Sequence, residues 1–286
     1  MATYQLPDRV ACYRHSDHLT DMHCPRCGRP VCFDCLPEGP ATGASHCPTC
    51  STEVREPPAT PGHRSRPRPL GWPALPRLTP VVAALIAANA GLFVLTSLHR
   101  QWEFDLAQIP PAVAQGQVYR LLTAAFVHVN LAHLLFNMAA LYAVGPAVEE
   151  ALGRRRFLVL YLLAALGGSV FSFVVGPVFV AGLGASGAIF GVFGAWFSLA
   201  RAQRSETAVI VFLIAVMLAY SFYDPGIDWR AHVGGLVTGL VVAAAYARGA
   251  RRPAAERMLY EAAAAVAVLG LSLALVLLRA TQILPV

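Results

Sequence analysis

The chain contains no lysine, so arginine alone carries the basic excess that gives its 286 residues a formal net charge of +6. Charged residues of both signs make up only 13% of the chain, whereas hydrophobic residues make up 56%. A typical soluble domain is roughly 25% charged, so this composition excludes an ordinary soluble protein. Arginine clusters beside apolar segments usually set membrane orientation, rather than bind nucleic acid. We therefore expect an integral membrane protein. Its arginine-only usage, with abundant alanine and proline, favours a bacterial plasma membrane.

Cysteine is absent after residue 50, and all seven cysteines lie between Cys12 and Cys50. The first 30 residues lack the apolar stretch of a signal peptide, which predicts that this segment stays in the cytosol. Disulfides are rare in that compartment, and an odd number of thiols cannot all pair. Metal binding is therefore the better interpretation of these cysteines.

The candidate metal ligands occur as four pairs with two-residue spacing, in the segments CYRH, CPRC, CFDC and CPTC. Eight such ligands make two closed tetrahedral sites, which are typical of structural zinc. A module of about 40 residues with few large apolar side chains needs such ions for stability. The predicted ligands are Cys12, His15, Cys24, Cys27, Cys32, Cys35, Cys47 and Cys50.

This module resembles B-box-type zinc fingers. The resemblance implies interleaved pairing, with Cys12, His15, Cys32 and Cys35 on one ion and Cys24, Cys27, Cys47 and Cys50 on the other. Spare imidazoles occur at His18, His23 and His46, of which His46 could substitute as a ligand. No stripe of basic and aromatic residues runs through the module, so we expect no nucleic acid. A cytosolic protein partner remains open.

The rest of the chain predicts an all-α polytopic membrane protein. Residues 1–50 form the zinc-binding domain, and residues 51–79 form a linker rich in proline and arginine. Residues 80–250 hold six apolar segments, and residues 251–286 hold a loop and a seventh. The seven predicted spans are 80–98, 129–148, 157–175, 186–200, 207–222, 232–247 and 261–278.

Arginine is distributed unequally between the two ends of these spans. Thirteen arginines lie near one side and four near the other. By the positive-inside rule, this asymmetry predicts a cytosolic N-terminus and a C-terminus outside. The segment 99–128 then lies at the outer surface as an interfacial structure.

Polar side chains interrupt the apolar segments near that outer surface. His133 and Asn137 are four residues apart and share a helix face, and His128 precedes them. Ser186 begins the fourth segment, and His232 begins the sixth. Polar groups are costly in lipid, so their convergence predicts a functional site. A stripe of small residues predicts close contact between these two helices: Gly187, Gly191, Ala231, Gly235 and Gly239.

These motifs resemble those of the rhomboid intramembrane serine proteases. The resemblance rests on GASG around Ser186, AHVGGLVTG around His232, HVNLAHLLFN in the second span, and G-x-x-x-E-x-x-x-G around Glu149. It covers about residues 80–250. It implies a six-helix core, here followed by a seventh helix, that cleaves single-pass transmembrane proteins near the outer leaflet.

On this basis Ser186 is the expected nucleophile and His232 its general base. Neither span contains an acidic residue, so the pair would be a dyad without a third, carboxylate member. No cofactor is expected for the proteolytic chemistry. We interpret Glu149 and Arg120 as structural. The expected oxyanion site is formed by His128, Asn137 and Gly184. His133 is expected to support it.

Two other functions stay open at this point. A non-catalytic rhomboid-like protein would bind membrane helices without cutting them, and it would lack Ser186 or His232. A transporter would use His128, His133 and Asn137 as an ion path. That path should include acidic residues at the membrane midplane, which the sequence does not supply.

Overall fold

The computed structural model describes residues 9–35, 47–50 and 77–284. The chain divides into two compact units, Met1–Arg66 and Pro67–Val286. Their boundary falls in the segment predicted as a linker, most of which, residues 51–76, lies outside the described residues.

The described residues of the first unit, 9–35 and 47–50, contain little regular structure. Strand β1 (Val10–Ala11) pairs antiparallel with β2 (Leu19–Thr20), and a single 3-10 turn covers Phe33–Cys35. Its buried apolar side chains, within the described residues, are Val31 and six of the seven cysteines. Such a small core contributes little hydrophobic stabilisation.

In the described part of the second unit, the regular elements are helices, apart from an isolated β-bridge between Gln108 and Gly182. Its helices follow one another in the order α1 (Pro80–Leu98), α2 (Arg100–Leu106), α3 (Pro110–Ala114), α4 (Arg120–Thr123), α5 (Leu131–Leu152), α6 (Arg154–Val175), α7 (Ser186–Ala202), α8 (Ala208–Tyr223), α9 (Trp229–Gly249) and α10 (Ala254–Ile283). A 3-10 turn at Ala124–Phe126 extends α4. The predicted fold class, an all-α polytopic membrane protein, is confirmed.

All seven predicted spans coincide with helices. Five of them, α1, α5, α6, α9 and α10, are long and apolar enough to cross a membrane. Helices α7 and α8 have 17 and 16 residues, and at 1.5 Å per residue each is about 25 Å long. That length is shorter than a hydrocarbon core of about 30 Å.

Helices α6, α7 and α9 pack backbone against backbone. A Cβ atom added to Gly235 would lie 1.9 Å from the carbonyl oxygen of Gly187, and one added to Gly239 would lie 2.1 Å from that of Gly191. On α6, a Cβ atom at Gly168 would lie 2.7 Å from the carbonyl oxygen of Ala231. Only glycine permits these approaches, as expected for small-residue contacts in membranes.

The G-x-x-x-E-x-x-x-G segment joins α5 to the start of α1. The Glu149 carboxylate is buried and accepts hydrogen bonds from the backbone N–H groups of Val81 and Val82 and from the Thr79 hydroxyl. It therefore satisfies free donors at the N-terminus of α1. Gly153 ends α5 at a φ of 82°, which favours glycine. Glu149 is thus structural, as expected.

Three short helices, α2 to α4, make up most of the segment 99–128. The buried guanidinium of Arg120 donates to the carbonyl oxygens of Phe104 and Ala107 and to the Gln117 side chain. Gln108 forms a pair of backbone hydrogen bonds with Gly182, at 2.9 Å each. Arg120 therefore braces this segment, and the Gln108 pairing attaches it to the chain that leads into α7.

The close packing of α7 and α9 leads to a stability prediction. We expect Gly235→Ala to destabilise the fold by about 1–3 kcal/mol, because the added methyl group overlaps the Gly187 carbonyl oxygen. Unfolding in detergent, followed by circular dichroism, measures the difference. Gly270→Ala on α10 is the matched control, because nothing lies within 4 Å of its added Cβ. Equal effects of the two substitutions would contradict the packing account.

Candidate active site

Ser186 is the first residue of α7. Before it, residues 176–185 contain no helix, so the chain enters α7 from an irregular segment. A helix start leaves its first N–H groups without intrahelical acceptors. In the described part of the chain, no acceptor takes the N–H of Ser186 or Gly187. Ser186 therefore lies at a free, electropositive helix end.

His232 faces this serine from the first turn of α9. Its Nε2 atom lies 2.7 Å from Ser186 Oγ, within hydrogen-bonding distance, and the residue is only 6% exposed. Asp228 begins α9 by accepting from the N–H groups of Arg230 and Ala231, at 3.1 and 3.4 Å. This cap fixes the start of the helix, and with it the position of the imidazole.

Two further contacts hold the imidazole ring. The Phe190 ring stacks on it, with centroids 4.3 Å apart and an interplanar angle of 17°. The Nδ1 atom lies 2.7 Å from the hydroxyl of Ser221 on α8. Within the described residues, no carboxylate contacts either ring nitrogen.

Four polar residues lie just before α5 or in its first two turns. Asn130 caps the helix by accepting from the N–H of His133, at 2.9 Å, and Asn137 Nδ2 donates to the carbonyl oxygen of His133 at 3.0 Å. The His128 ring meets that of His133 edge-on, with centroids 5.0 Å apart. His128 is 1% exposed, and neither of its ring nitrogens makes a hydrogen bond to the described residues.

Comparison with known proteins bears on this arrangement. The Rhomboid domain family matches residues 115–249. The rhomboid protease GluP of Bacillus subtilis is 45% identical over 139 residues, which are 46% of this chain and 27% of GluP. A second B. subtilis protein named for this protease family, YdcA, is 32% identical over 58% of this chain and 88% of its own length. Rhomboid-like protease 1 of Toxoplasma gondii is 32% identical over 49% and 51% of the two chains.

The chain belongs to the rhomboid family. The names of these relatives, which are rhomboid proteases, support the expected enzyme class, a rhomboid-type serine intramembrane protease. The chain spans about a quarter of GluP and about half of the T. gondii relative. The activity and the substrates of the whole protein are therefore proposed below.

Gly184 differs from its sequence-based expectation. Its N–H donates to the carbonyl oxygen of Ala124 at 2.9 Å, so it is not a free donor for an oxyanion. Its φ is 117°, a conformation that favours glycine, and an added Cβ atom would lie 2.7 Å from the His133 ring. Gly184 therefore makes room for His133 beside the entry to α7. No sequence pattern reveals this backbone hydrogen bond between Gly184 and Ala124.

Two polar contacts of this rhomboid site were missed at the sequence level. Asp228 precedes the predicted sixth span by four residues, and helix-capping preferences could have placed it at the N-cap. Its other carboxylate oxygen contacts the hydroxyl of Ser172 on α6. Ser221 carried no such signal, because a serine in an apolar helix usually bonds only to its own backbone.

The first unit brings the predicted metal ligands together in two groups. One group consists of Cys12, His15, Cys32 and Cys35, and the other of Cys24, Cys27, Cys47 and Cys50. Within each group, the ligand atoms all lie within 4.8 Å of one another. The Sγ atoms of Cys12 and Cys35 are 3.7 Å apart, as are those of Cys27 and Cys47. Two thiolates at 2.3 Å from one tetrahedral ion would be about 3.8 Å apart. Both groups could therefore hold a metal ion.

The surroundings of Cys24 also suit metal binding. The backbone N–H of Cys47 donates to Cys24 Sγ at 3.4 Å and lowers the pKa of this thiol to about 6. A lowered pKa favours the thiolate, the form that binds metal. Of the spare imidazoles, His18 lies 3.0 Å from Asp34 and His23 contacts the Asp21 carbonyl oxygen. His46 lies outside the described residues.

Proposed function

We propose that this protein cleaves single-pass transmembrane proteins near the outer leaflet, through a dyad of Ser186 and His232. The observation that carries the proposal is the 2.7 Å contact between Ser186 Oγ, which is half-buried, and Nε2 of the buried His232. Serine is a weak nucleophile until a base accepts its proton, and in the described structure His232 is the base within reach. The rhomboid family membership supports the same assignment.

In the first half of the reaction, His232 Nε2 takes the proton of Ser186 Oγ as this oxygen attacks the scissile carbonyl carbon. The carbonyl π electrons move to oxygen and give a tetrahedral oxyanion. The imidazolium then protonates the leaving amine as the peptide C–N bond breaks, which leaves an acyl ester on Ser186. Water, deprotonated by the same imidazole, releases the second product.

The oxyanion would form beside several hydrogen-bond donors. The free N–H of Ser186 lies at the positive end of α7. Asn137 Nδ2 has a second N–H beyond the one bound to the His133 carbonyl oxygen. The buried, unbonded His128 ring supplies one N–H when neutral. His133 supports both, since it contacts the His128 ring and carries the carbonyl oxygen that holds Asn137.

The substrate class follows from the position of Ser186. The nucleophile is half-buried beside apolar helices, and water must reach it through an opening between them. A stable helix hides its carbonyl groups, so a substrate helix must unwind locally before attack. We therefore expect small residues at the cleaved bond and helix-breaking residues below it. The alternative, a non-catalytic helix-binding protein, is not favoured, because both dyad residues are present and in contact.

Mutation of the dyad tests this proposal directly. We expect Ser186→Ala and His232→Ala to lower cleavage of a fluorescent single-pass substrate below roughly one ten-thousandth of the wild-type rate. The measurement uses full-length protein in detergent with a substrate that carries a helix-breaking segment. Ser198→Ala, on the same helix, is the matched control and should cut normally. Cleavage by folded Ser186→Ala would refute the serine mechanism.

We also propose that the first unit holds two structural zinc ions that take no part in proteolysis. Each group of four ligands has the donors and spacing of a closed zinc site. The dyad chemistry needs no metal ion, because His232 is the base for Ser186. We expect the partner of this zinc-binding unit to be a cytosolic protein.

Metal analysis of purified protein tests the zinc proposal. We expect about two zinc ions per chain and about one in Cys24→Ser, because loss of one thiolate opens only its own site. His23→Ala is the control and should keep both ions. A wild-type value near one would contradict the two-site assignment, and loss of cleavage on chelation would contradict a purely structural role.

The orientation is a further part of the proposal. Arginine asymmetry supports a cytosolic N-terminus and an external C-terminus in a bacterial plasma membrane. In intact cells, we expect external protease to remove a C-terminal tag and to spare an N-terminal one. Permeabilised cells, in which both tags should be removed, are the control. Equal access to both tags in intact cells would contradict an odd number of crossings.

A further inference from the structure

The second nitrogen of His232 has a partner that the dyad chemistry alone does not require. Ser221 Oγ lies 2.7 Å from His232 Nδ1, and Ser221 is only 2% exposed. Of the sixteen residues of α8, two are buried, Ile210 and Ser221. Most of this helix is apolar and exposed, so its one buried hydroxyl is directed at the imidazole.

The direction of this hydrogen bond follows from the other contact of the hydroxyl. Ser221 Oγ also lies 2.6 Å from the backbone carbonyl oxygen of Met217. A carbonyl oxygen can only accept, and a hydroxyl has one proton. Because that proton points to Met217, Ser221 Oγ must accept from Nδ1, which therefore carries a hydrogen.

The protonation of one ring nitrogen determines the other. A neutral imidazole with hydrogen on Nδ1 has its lone pair on Nε2, and Nε2 is the atom 2.7 Å from Ser186 Oγ. This tautomer is the one a general base needs. In serine proteases with a triad, a carboxylate enforces it, whereas the described residues place no carboxylate at this nitrogen.

We propose that Ser221 is a positioning residue that holds His232 in the Nδ1–H tautomer. The proposal rests on the proposed dyad. Phe190, stacked at 4.3 Å, sets the plane of the ring, and Ser221 sets its rotation within that plane and the nitrogen that carries the proton. The relay runs from Ser186 through His232 and Ser221 to the Met217 carbonyl oxygen. Ser221, the last side chain in this relay, is neutral, so it orients the His232 imidazolium without neutralising the positive charge of that ring.

Kinetics of full-length protein in detergent provide the first test. We expect Ser221→Ala to lower kcat by about tenfold, the effect of losing one hydrogen bond, and to leave KM unchanged. Ser221→Thr keeps the hydroxyl and should restore most of the rate. Ser97→Ala is the matched control, because Ser97 makes the same type of bond to a carbonyl four residues earlier but is exposed and has no hydrogen bond to an imidazole among the described residues. Unchanged kcat in Ser221→Ala, or an equal loss in Ser97→Ala, overturns the proposal.

The tautomer itself can be observed without any cleavage. Nitrogen-15 NMR of histidine-labelled protein reports which ring nitrogen carries hydrogen, and His232→Ala identifies the signals of His232. We expect the Nδ1–H form in the wild type and in Ser186→Ala, and a mixture of forms in Ser221→Ala. An Nε2–H form in the wild type, or no change in Ser221→Ala, overturns the proposal. Cleavage by Ser186→Ala would instead refute the dyad and leave the tautomer result standing.

Discussion

The site depends on direct backbone-to-backbone contact between α7 and α9. The Gly187 carbonyl oxygen and the Cα of Gly235 leave no space for a side chain between them. Ser186 precedes one of these glycines, and His232 lies three residues before the other. The short contact between the two helices is therefore also the contact between their polar side chains. Lipid gives helices no hydrophobic reason to associate, so shape complementarity of this kind must hold them together.

Much of this arrangement could be predicted from the sequence, because its signals are periodic or chemically specific. Apolar runs located seven helices, five of which are long and apolar enough to cross a membrane, and α1 has the predicted bounds of 80–98. Four-residue steps of small residues indicated which helix faces meet. The spacing of the Cys and His pairs indicated the metal groups, and a family resemblance supplied their interleaving. In each case, a repeated class of residue at a fixed spacing is compatible with few structures.

The rest depends on contacts between residues that have no regular spacing. Nothing in YSFYD indicates that Ser221 reaches the imidazole, because that requires the position of α8 relative to α9. Gly184 was expected in the oxyanion site, but its N–H is already bonded to Ala124, 60 residues earlier in the chain. The exposed apolar residues on α8 and α10 could be read as membrane-facing, yet the two buried residues of α8 could not be identified in advance. Tertiary hydrogen bonds at a site are thus its least predictable part.

The central claim is that helix packing turns an ordinary serine into a nucleophile by bringing His232 against it. Labelling with a fluorophosphonate, which reacts only with activated serines, tests this claim without requiring a known substrate. Mass spectrometry of the labelled protein should find one adduct, on the peptide that contains Ser186, and none in His232→Ala. An adduct that forms equally well without His232, or a folded wild-type protein that does not react, would contradict the account.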